Sequence, residues 1–405
     1  MEVRKGYKQT EVGVIPEDWE GKQLSDISEF ITKGSTPTTY GFKWESDGVL
    51  FLRSECVGNN GLDLSQSMFI SKTAHKALFR GEIKSGDMLI TITGNVGRVV
   101  FLNNQFGHGN INQHIAKIRV VDNNTCPLFI YHFLSQNIYR KYFESIVTGQ
   151  AYPQISLKQV RDAIIYFPPT KSEQTAIATA LSDADALISS LEKLIVKKRA
   201  IKQGAMQELL RPKEGWEVKS LGEIAEVSTG NTPPTRDLDN YGLDYCFVSP
   251  IDLGQIKYIA HTEKKLSKKG FSISRKFPQN SILFTCIGST IGKMGITCFE
   301  MTSNQQINAV FANNSYSTEY LYYYLNFISE QIKSSASEQA LPMINKTEFQ
   351  KVLIQLPSKS EQTRIATILS DMDAEIAGLE EKLSKYKMVK QGMMQELLTG
   401  RARLI

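Results

Sequence analysis

The feature that most constrains this chain is a stretch of about forty residues that occurs twice, at 171–210 and again at 359–398. Lys171-Ser-Glu-Gln-Thr-Ala-Ile-Ala-Thr-Ala-Leu-Ser-Asp returns as Lys359-Ser-Glu-Gln-Thr-Arg-Ile-Ala-Thr-Ile-Leu-Ser-Asp, and Lys202-Gln-Gly-Ala-Met-Gln-Glu-Leu-Leu returns as Lys390-Gln-Gly-Met-Met-Gln-Glu-Leu-Leu. About 25 of the 40 aligned positions are identical, far more than chance gives a repeat of this length. Whatever the chain folds into has to accommodate the same element twice.

That element is a long helix. Apolar side chains fall at Ile177, Leu181, Ala184, Ile188, Leu191 and Ile195 in the first copy, and at Ile365, Leu369, Met372, Ile376, Leu379, Leu383 and Tyr386 in the second. Steps of four and three make a narrow coiled-coil seam. Thr170-Lys-Ser-Glu173 and Ser358-Lys-Ser-Glu361 each set a hydroxyl at the N-cap and a glutamate at N3, so a capping box is expected at both starts. Pro169 and Pro357 lie just outside, Pro212 stops the first helix, and Gly400 can cap the second. Each helix should then run for ~38 residues, or ~57 Å.

The residues ahead of each helix correspond more faintly. Trp19-Glu-Gly-Lys-Gln-Leu matches Trp216-Glu-Val-Lys-Ser-Leu, and Lys33-Gly-Ser-Thr-Pro37 matches Thr229-Gly-Asn-Thr-Pro233. Gly94-Asn-Val-Gly-Arg98 matches Gly288-Ser-Thr-Ile-Gly-Lys293, and Asn112-Gln113 matches Asn304-Gln305. Between these anchors the halves look unrelated. Short β-like runs around 87–93 and 281–287, and aromatic-rich helical stretches at 127–146 and 318–334, give each half an α+β reading. The aromatic stripe is read as core rather than as a base-stacking surface. The expected architecture is therefore α+β, with two globular domains separated by two long antiparallel coiled-coil helices in an internal pseudo-two-fold repeat. Its parts are an N-terminal arm at 1–17, a first domain at 18–169, a first helical spacer at 170–211, a second domain at 212–357 and a second helical spacer at 358–400.

Near-copied helices joined to domains that share a frame but not a surface suit the recognition of two different things at a fixed distance. Gene duplication with drift is the plainer alternative, but drift alone should not spare a solvent-rich helix while erasing most of a globular domain. The net charge of +5 permits an anionic partner without demanding one. Five scattered cysteines without a C-x-x-C pair argue against a disulfide framework and a zinc site. A polar start, and apolar runs no longer than about Tyr320–Ile328, give no signal peptide or spanning helix, so a cytoplasmic protein is expected.

No catalytic motif stands out. Neither Asn nor Asp precedes a Pro-Pro-aromatic; the prolines in Thr232-Pro-Pro-Thr235 have other neighbours. Gly288-Ser-Thr-Ile-Gly-Lys293 resembles a phosphate-binding loop but is one residue too short, with Met294 where a magnesium-binding hydroxyl belongs. His108 and His114 lack partners for a metal set.

The equivalent turns do suit DNA, because glycine admits a phosphate closely, Arg suits guanine, and Asn or Gln suits adenine. Candidate DNA-binding residues are Lys33, Ser35, Thr36, Arg53, Asn95, Arg98, Asn112 and Gln113 in the first domain, and Asn231, Thr232, Lys293, Asn304 and Gln305 in the second. Where both domains share a residue a structural role is at least as strong a reading, since residues that read different bases should differ. Arg53, without a clear counterpart, is the better base-reading candidate. Candidate helix–helix or subunit contacts are Ile177, Leu181, Ile188, Leu191, Ile195, Ile365, Leu369, Met372, Ile376, Leu379 and Leu383.

Phe167-Pro-Pro-Thr-Lys-Ser-Glu-Gln174, its second copy Leu356-Pro-Ser-Lys-Ser-Glu-Gln362, and the opening Tyr7-Lys-Gln-Thr-Glu-Val-Gly-Val-Ile-Pro-Glu-Asp-Trp19 resemble the specificity (S) subunits of type I restriction–modification enzymes. The resemblance spans essentially the whole chain. It implies two target-recognition domains, each reading one half of a bipartite site in double-stranded DNA. It also implies helices that set the spacer and dock two methyltransferase (M) subunits, with restriction (R) subunits joining the full complex. S-adenosylmethionine would belong to M, and ATP with magnesium to R, leaving no cofactor and no catalysis in this chain. The single proline of the second copy is expected to alter only how the chain enters the helix. A non-catalytic coiled-coil scaffold that binds proteins is the competing reading.

Overall fold

A computed structural model describes residues 5–10, 13–58, 61–149, 152–336 and 342–404. The chain divides into two units, 1–191 with 382–405 and 192–381. Each holds one globular domain and half of each long helix.

In the first unit a four-stranded antiparallel sheet runs in the order Val99–Phe101, Met88–Thr91, Ile115–Val120, Ser28–Lys33. A second sheet runs Met68–Ile70, Val49–Leu52, His108–Ile111, Glu82–Lys84, and its middle pair is parallel. The second unit repeats this plan. Its first sheet is Met294–Thr297, Ile282–Thr285, Ile307–Ala312, Ala225–Thr229, extended by Tyr258–Ile259 beside Met294–Thr297. Its second sheet is Lys264–Leu266, Tyr241–Val248, Met301–Ser303, Lys276–Phe277, again with a parallel middle pair. The halves that diverge in sequence therefore share one topology.

The central strands explain how. All four residues of Met88–Thr91 are buried, as are those of Ile282–Thr285. Successive side chains point to opposite faces. Met88 and Ile90 enter one core with Phe129 and Phe133, while Leu89 enters another with Leu52 and Ile83. Ile282 and Phe284 join a core with Tyr320 and Tyr324, while Leu283 faces Val248 and Phe277. Burial on both faces leaves apolar runs without a strong alternation. The aromatic-rich stretches form two helices in each half, Pro127–Leu134 with Asn137–Ser145 and Thr318–Phe327 with Ser329–Ser334. Their rings supply core, as their spacing suggests.

Lys117 lies among these apolar residues with a relative exposure of 1%. Its ammonium donates to the Glu82 carbonyl oxygen at 2.5 Å and sits 4.7 Å from the centre of the Phe30 ring. Desolvation, reinforced by the neighbouring Arg119 guanidinium, lowers its pKa from 10.5 to about 8. The folded state thus gives up this proton first. Its stability should rise between pH ~8 and ~10.5 and fall as pH drops through ~8. The pKa difference corresponds to roughly 3 kcal/mol, partly offset by the hydrogen bond and ring contact, each worth about 1 kcal/mol. Lys117→Met should therefore stabilise this unit by about 1–2 kcal/mol at pH 7 and flatten the alkaline rise. Denaturant unfolding across pH 7–10.5 checks both; a destabilised variant with an unchanged pH profile would contradict them.

The long helices span Lys171–Leu210 and Lys359–Leu397, 40 and 39 residues, or ~60 Å each. The hydroxyls of Thr170 and Ser358 accept from the N–H groups of Glu173 and Glu361 at 3.2 and 3.3 Å. The glutamates turn elsewhere: Glu173 binds Arg403, and Glu361 binds Arg364. The expected capping box is therefore formed on its hydroxyl side, with the carboxylate side claimed by arginine.

The seam divides along each helix. Ile177 and Leu181 are fully buried in the first unit's main core together with Leu397 and Leu398. Ile365 and Leu369 are buried in the second unit's core together with Met206 and Leu210, and Met372 packs against it half-buried. These contacts thus join helix to domain as well as helix to helix. Leu191, Ile195 and Ile376 are buried, while Ile188, Leu379 and Leu383 are half-buried. Antiparallel register is marked by ion pairs. Lys390 meets Asp185 at 2.5 Å in the first unit. In the second, Lys198 meets Glu375 at 2.6 Å, Arg199 meets Glu380 at 2.5 Å, and Lys202 meets Asp373.

The joints between domain and helix also repeat. His132 shares a hydrogen bond with the Ser182 hydroxyl at 3.0 Å, and burial together with Lys390 pushes its pKa down to about 3, so it stays neutral. At the corresponding joint Tyr323 donates to Asp373 at 2.6 Å and lies 3.3 Å from Ser370. The Lys257 ammonium adds donors to Ser370 and Tyr323 there.

The C-terminal residues close the first unit. Arg403 makes a two-pronged contact with Glu173, at 2.5 and 2.8 Å, and also meets Asp18 at 3.1 Å. Gly400 has φ +65°, and a side chain there would come within 2.5 Å of Pro16 and 3.1 Å of Trp19. The Tyr7 hydroxyl lies 3.4 Å from the Gly400 carbonyl oxygen.

Candidate nucleic-acid interface

A glycine turn sits at the same place in both domains. Gly34 follows the strand Ser28–Lys33, and its N–H donates to the Asn112 carbonyl oxygen at 3.2 Å. A β-carbon there would lie 1.7 Å from the Ile111 carbonyl oxygen, so only glycine fits. Gly230 follows Ala225–Thr229 and donates to the Ile307 carbonyl oxygen at 3.0 Å; a β-carbon would lie 2.3 Å from the Asn304 carbonyl oxygen. Beside each turn the same side-chain bond recurs. Thr36 donates to Gln113 at 2.5 Å, and Thr232 donates to Gln305 at 2.5 Å.

Asn112 and Asn304 hold their own loops, accepting from the N–H groups of His114 and Gln306 at 3.1 Å each. Asn231 accepts from the Arg275 N–H at 2.6 Å. Thr36, Asn112, Gln113, Asn231, Thr232, Asn304 and Gln305 thus each make a hydrogen bond within their own domain. Lys33 is exposed at the turn and Ser35 is half-buried within it.

The strand pairing gives Arg53 a counterpart that the sequence alone does not reveal. Leu52 pairs with Ile111, and Val248 pairs with Ser303. Arg53 and Ser249 are the residues that follow Leu52 and Val248. The Arg53 guanidinium donates to the Gln66 carbonyl oxygen at 3.1 Å, whereas Ser249 is bound to Asp252 at 2.8 Å. One framework position therefore presents a guanidinium in one domain and a capped hydroxyl in the other.

Asn95, Arg98 and Lys293 occupy a second pair of turns that pack against different elements. Gly97 approaches Phe143 of the helix Asn137–Ser145, and Gly292 approaches Ser329 of the helix Ser329–Ser334. Gly288–Lys293 joins the antiparallel strands Ile282–Thr285 and Met294–Thr297. It is a strand-to-strand turn, not the strand-to-helix loop that cradles nucleotide phosphates. Asn95 and Lys293 are exposed.

The residue reading overlooked the segments flanking the glycine turns. Residues 264–276 carry Lys264, Lys265, Lys268, Lys269, Arg275 and Lys276 without one acidic residue. The corresponding stretch of the first domain carries Lys72, His75, Lys76, Arg80 and Lys84, with Glu82 as its one acidic residue. Runs of like charge were the available signal. The Arg275 guanidinium also donates to the Thr229 carbonyl oxygen at 2.6 Å, which fixes it beside the turn. Among the described residues no group of three or more His, Cys, Asp or Glu could hold a metal ion, and no helix is long and apolar enough to cross a membrane.

Two domains of one topology, with shared turns and different side chains at matched positions, define a two-part recognition protein. The family described as type I restriction modification DNA specificity domain matches residues 16–200 and 213–386, and the chain belongs to it. It is similar to the putative type I restriction enzyme MjaX specificity subunit of Methanocaldococcus jannaschii, 24% identical over 434 residues that cover 99% of this chain and 97% of the relative. It is also similar to the HindI specificity subunit of Haemophilus influenzae, 25% identical over 426 residues, with 84% and 90% covered. The fold matches the crystal structure of a type I restriction–modification S subunit from M. genitalium, with a TM-score of 0.65, 13% identity and 98% of both chains covered.

Proposed function

We propose that this chain is the DNA-recognition subunit of a type I restriction–modification complex, non-catalytic on its own. Each domain reads one half of a bipartite site in double-stranded DNA. The observation that carries this reading is the repeated framework with unlike reading positions, Arg53 against Ser249. Cationic side chains around the glycine turns supply phosphate contacts, which position the protein without choosing a sequence.

The long helices set the unspecified spacer and dock two methyltransferase subunits, with restriction subunits joining for cleavage. Docking is supported by apolar side chains that the helices leave exposed, among them Val196, Ile201, Met388 and Val389. S-adenosylmethionine is assigned to the methyltransferase subunits, and ATP with magnesium to the restriction subunits. The HindI relative is a type I restriction enzyme specificity subunit, which accords with this assignment.

Exchange of residues 18–169 for the corresponding domain of a related subunit tests the reading. Methylation mapping of cells making the hybrid with the methyltransferase subunit should show one half-site replaced and the other kept. A simultaneous change in both halves, or a purified chain that methylates DNA alone, would refute it.

A further inference from the structure

Each domain projects one large apolar side chain from its most cationic segment, at the same place in the fold. In the first domain a short helix, Lys72–Ala77, is capped by Ser71 and leads to Phe79-Arg80-Gly81 before the strand Glu82–Lys84. In the second, Lys268–Ile273 is capped by Ser267 and leads through Ser274-Arg275 to the strand Lys276–Phe277. Both segments lie against the glycine turn. Thr32 donates to the Arg80 carbonyl oxygen at 3.1 Å, and a β-carbon on Gly81 would lie 2.9 Å from the Gly34 α-carbon. In the second domain Asn231 and Arg275 make the equivalent tie. Phe79 is 65% exposed and Ile273 is 53% exposed.

An apolar side chain among cations has no reason to be there for solubility. Its neighbours attract phosphate, so the surface that comes to cover it is the duplex itself. Phe and Ile are both side chains that wedge between stacked base pairs, where cationic neighbours hold the backbone on either side. The two residues differ in identity, as reading positions do, yet share location, as framework positions do.

We propose that Phe79 and Ile273 are base-step wedges, each opening one stacked step within the half-site bound by its own domain. This rests on the DNA-recognition reading above and adds a local deformation to it. A step that unstacks easily is then favoured at that point, so the wedge contributes specificity through deformability as well as through contact.

The test uses the full chain assembled with its methyltransferase subunits and duplexes carrying 2-aminopurine at successive positions of the mapped site, the methylated adenines excluded. Binding should raise the fluorescence at one step in each half-site. Phe79→Ala should abolish the rise in the first half-site only, and Ile273→Ala in the second only, each with about a tenfold loss of affinity. Phe79→Trp should retain the signal. Specific binding without any unstacked step, or a signal unchanged in both alanine variants, overturns the wedges and leaves the recognition reading standing. If thymine-to-uracil replacement reproduces the alanine effect while no step opens, the side chains read a methyl group and the wedge is wrong. Binding by the wild-type complex without sequence preference would instead overturn the recognition reading itself.

Discussion

Four residues inserted into both long helices, after Leu191 and after Glu381, should give an active subunit with unchanged half-sites and one or two more unspecified base pairs between them. Four residues lengthen a helix by ~6 Å and turn it by about 1.1 turns, so the apolar seam stays nearly in phase. DNA rises ~3.4 Å per base pair along each strand, which sets the one-or-two-pair allowance. Each added pair also rotates the second half-site by ~35°, as a turn takes about 10–10.5 pairs. Both helices have to be lengthened because their register is fixed on either side of the insertion. Asp185–Lys390 lies on one side; Lys198–Glu375 and Lys202–Asp373 lie on the other. An insertion in the first helix alone would force one set of pairs to slip and should abolish methylation. Long-read methylation mapping of the paired insertion beside the parent decides the matter: an active variant with its spacer unchanged would show that something other than the helices measures the gap.

The largest stability effect is expected at Arg403. Its guanidinium meets the Glu173 side chain, which is 5% exposed, and the Asp18 carboxylate. Removing one partner of a buried pair typically costs 3–5 kcal/mol because the other charge is left without compensation. Arg403 is partly open to solvent, which screens the loss, so Arg403→Ala should destabilise the first unit by about 2–3 kcal/mol. Glu173→Gln in the same chain should recover part of that loss, because no bare carboxylate then remains. Denaturant unfolding and hydrogen exchange at the start of Lys171–Leu210 measure both. Equal stability of parent and Arg403→Ala would show that the contact contributes nothing.

The long helices were legible because their seam, caps and stops repeat in near-identical words. Ile177, Leu181, Ile365 and Leu369 lie buried, in clusters that include domain core residues as well as the other helix. The shared sheet topology was hidden. Strands buried on both faces, such as Met88–Thr91 and Ile282–Thr285, constrain hydrophobicity without fixing identity. Lys117 stands where the other half has Ala309, a difference no pattern rule anticipates. At the recognition turns, residue type alone could not separate framework from reader. Asn112 and Gln113 have the residue types that suit adenine, and their hydrogen bonds within the domain are visible only in the structure.

Around Trp19 the first unit assembles non-covalently what the second unit assembles along the backbone. Leu210 leads through five residues to Trp216, and both pack into one core. Leu398 shares a core with Trp19, but the chain between them runs through both domains. Gly400 against Pro16 and Arg403 against Asp18 bridge that seam. The first unit is thus stitched from two distant stretches of chain, whereas the matching joint of the second is continuous. A permuted chain that links Arg403 to Tyr7 by a short flexible peptide and opens between Arg211 and Gly215 would preserve every core described here, with the second domain now preceding the first.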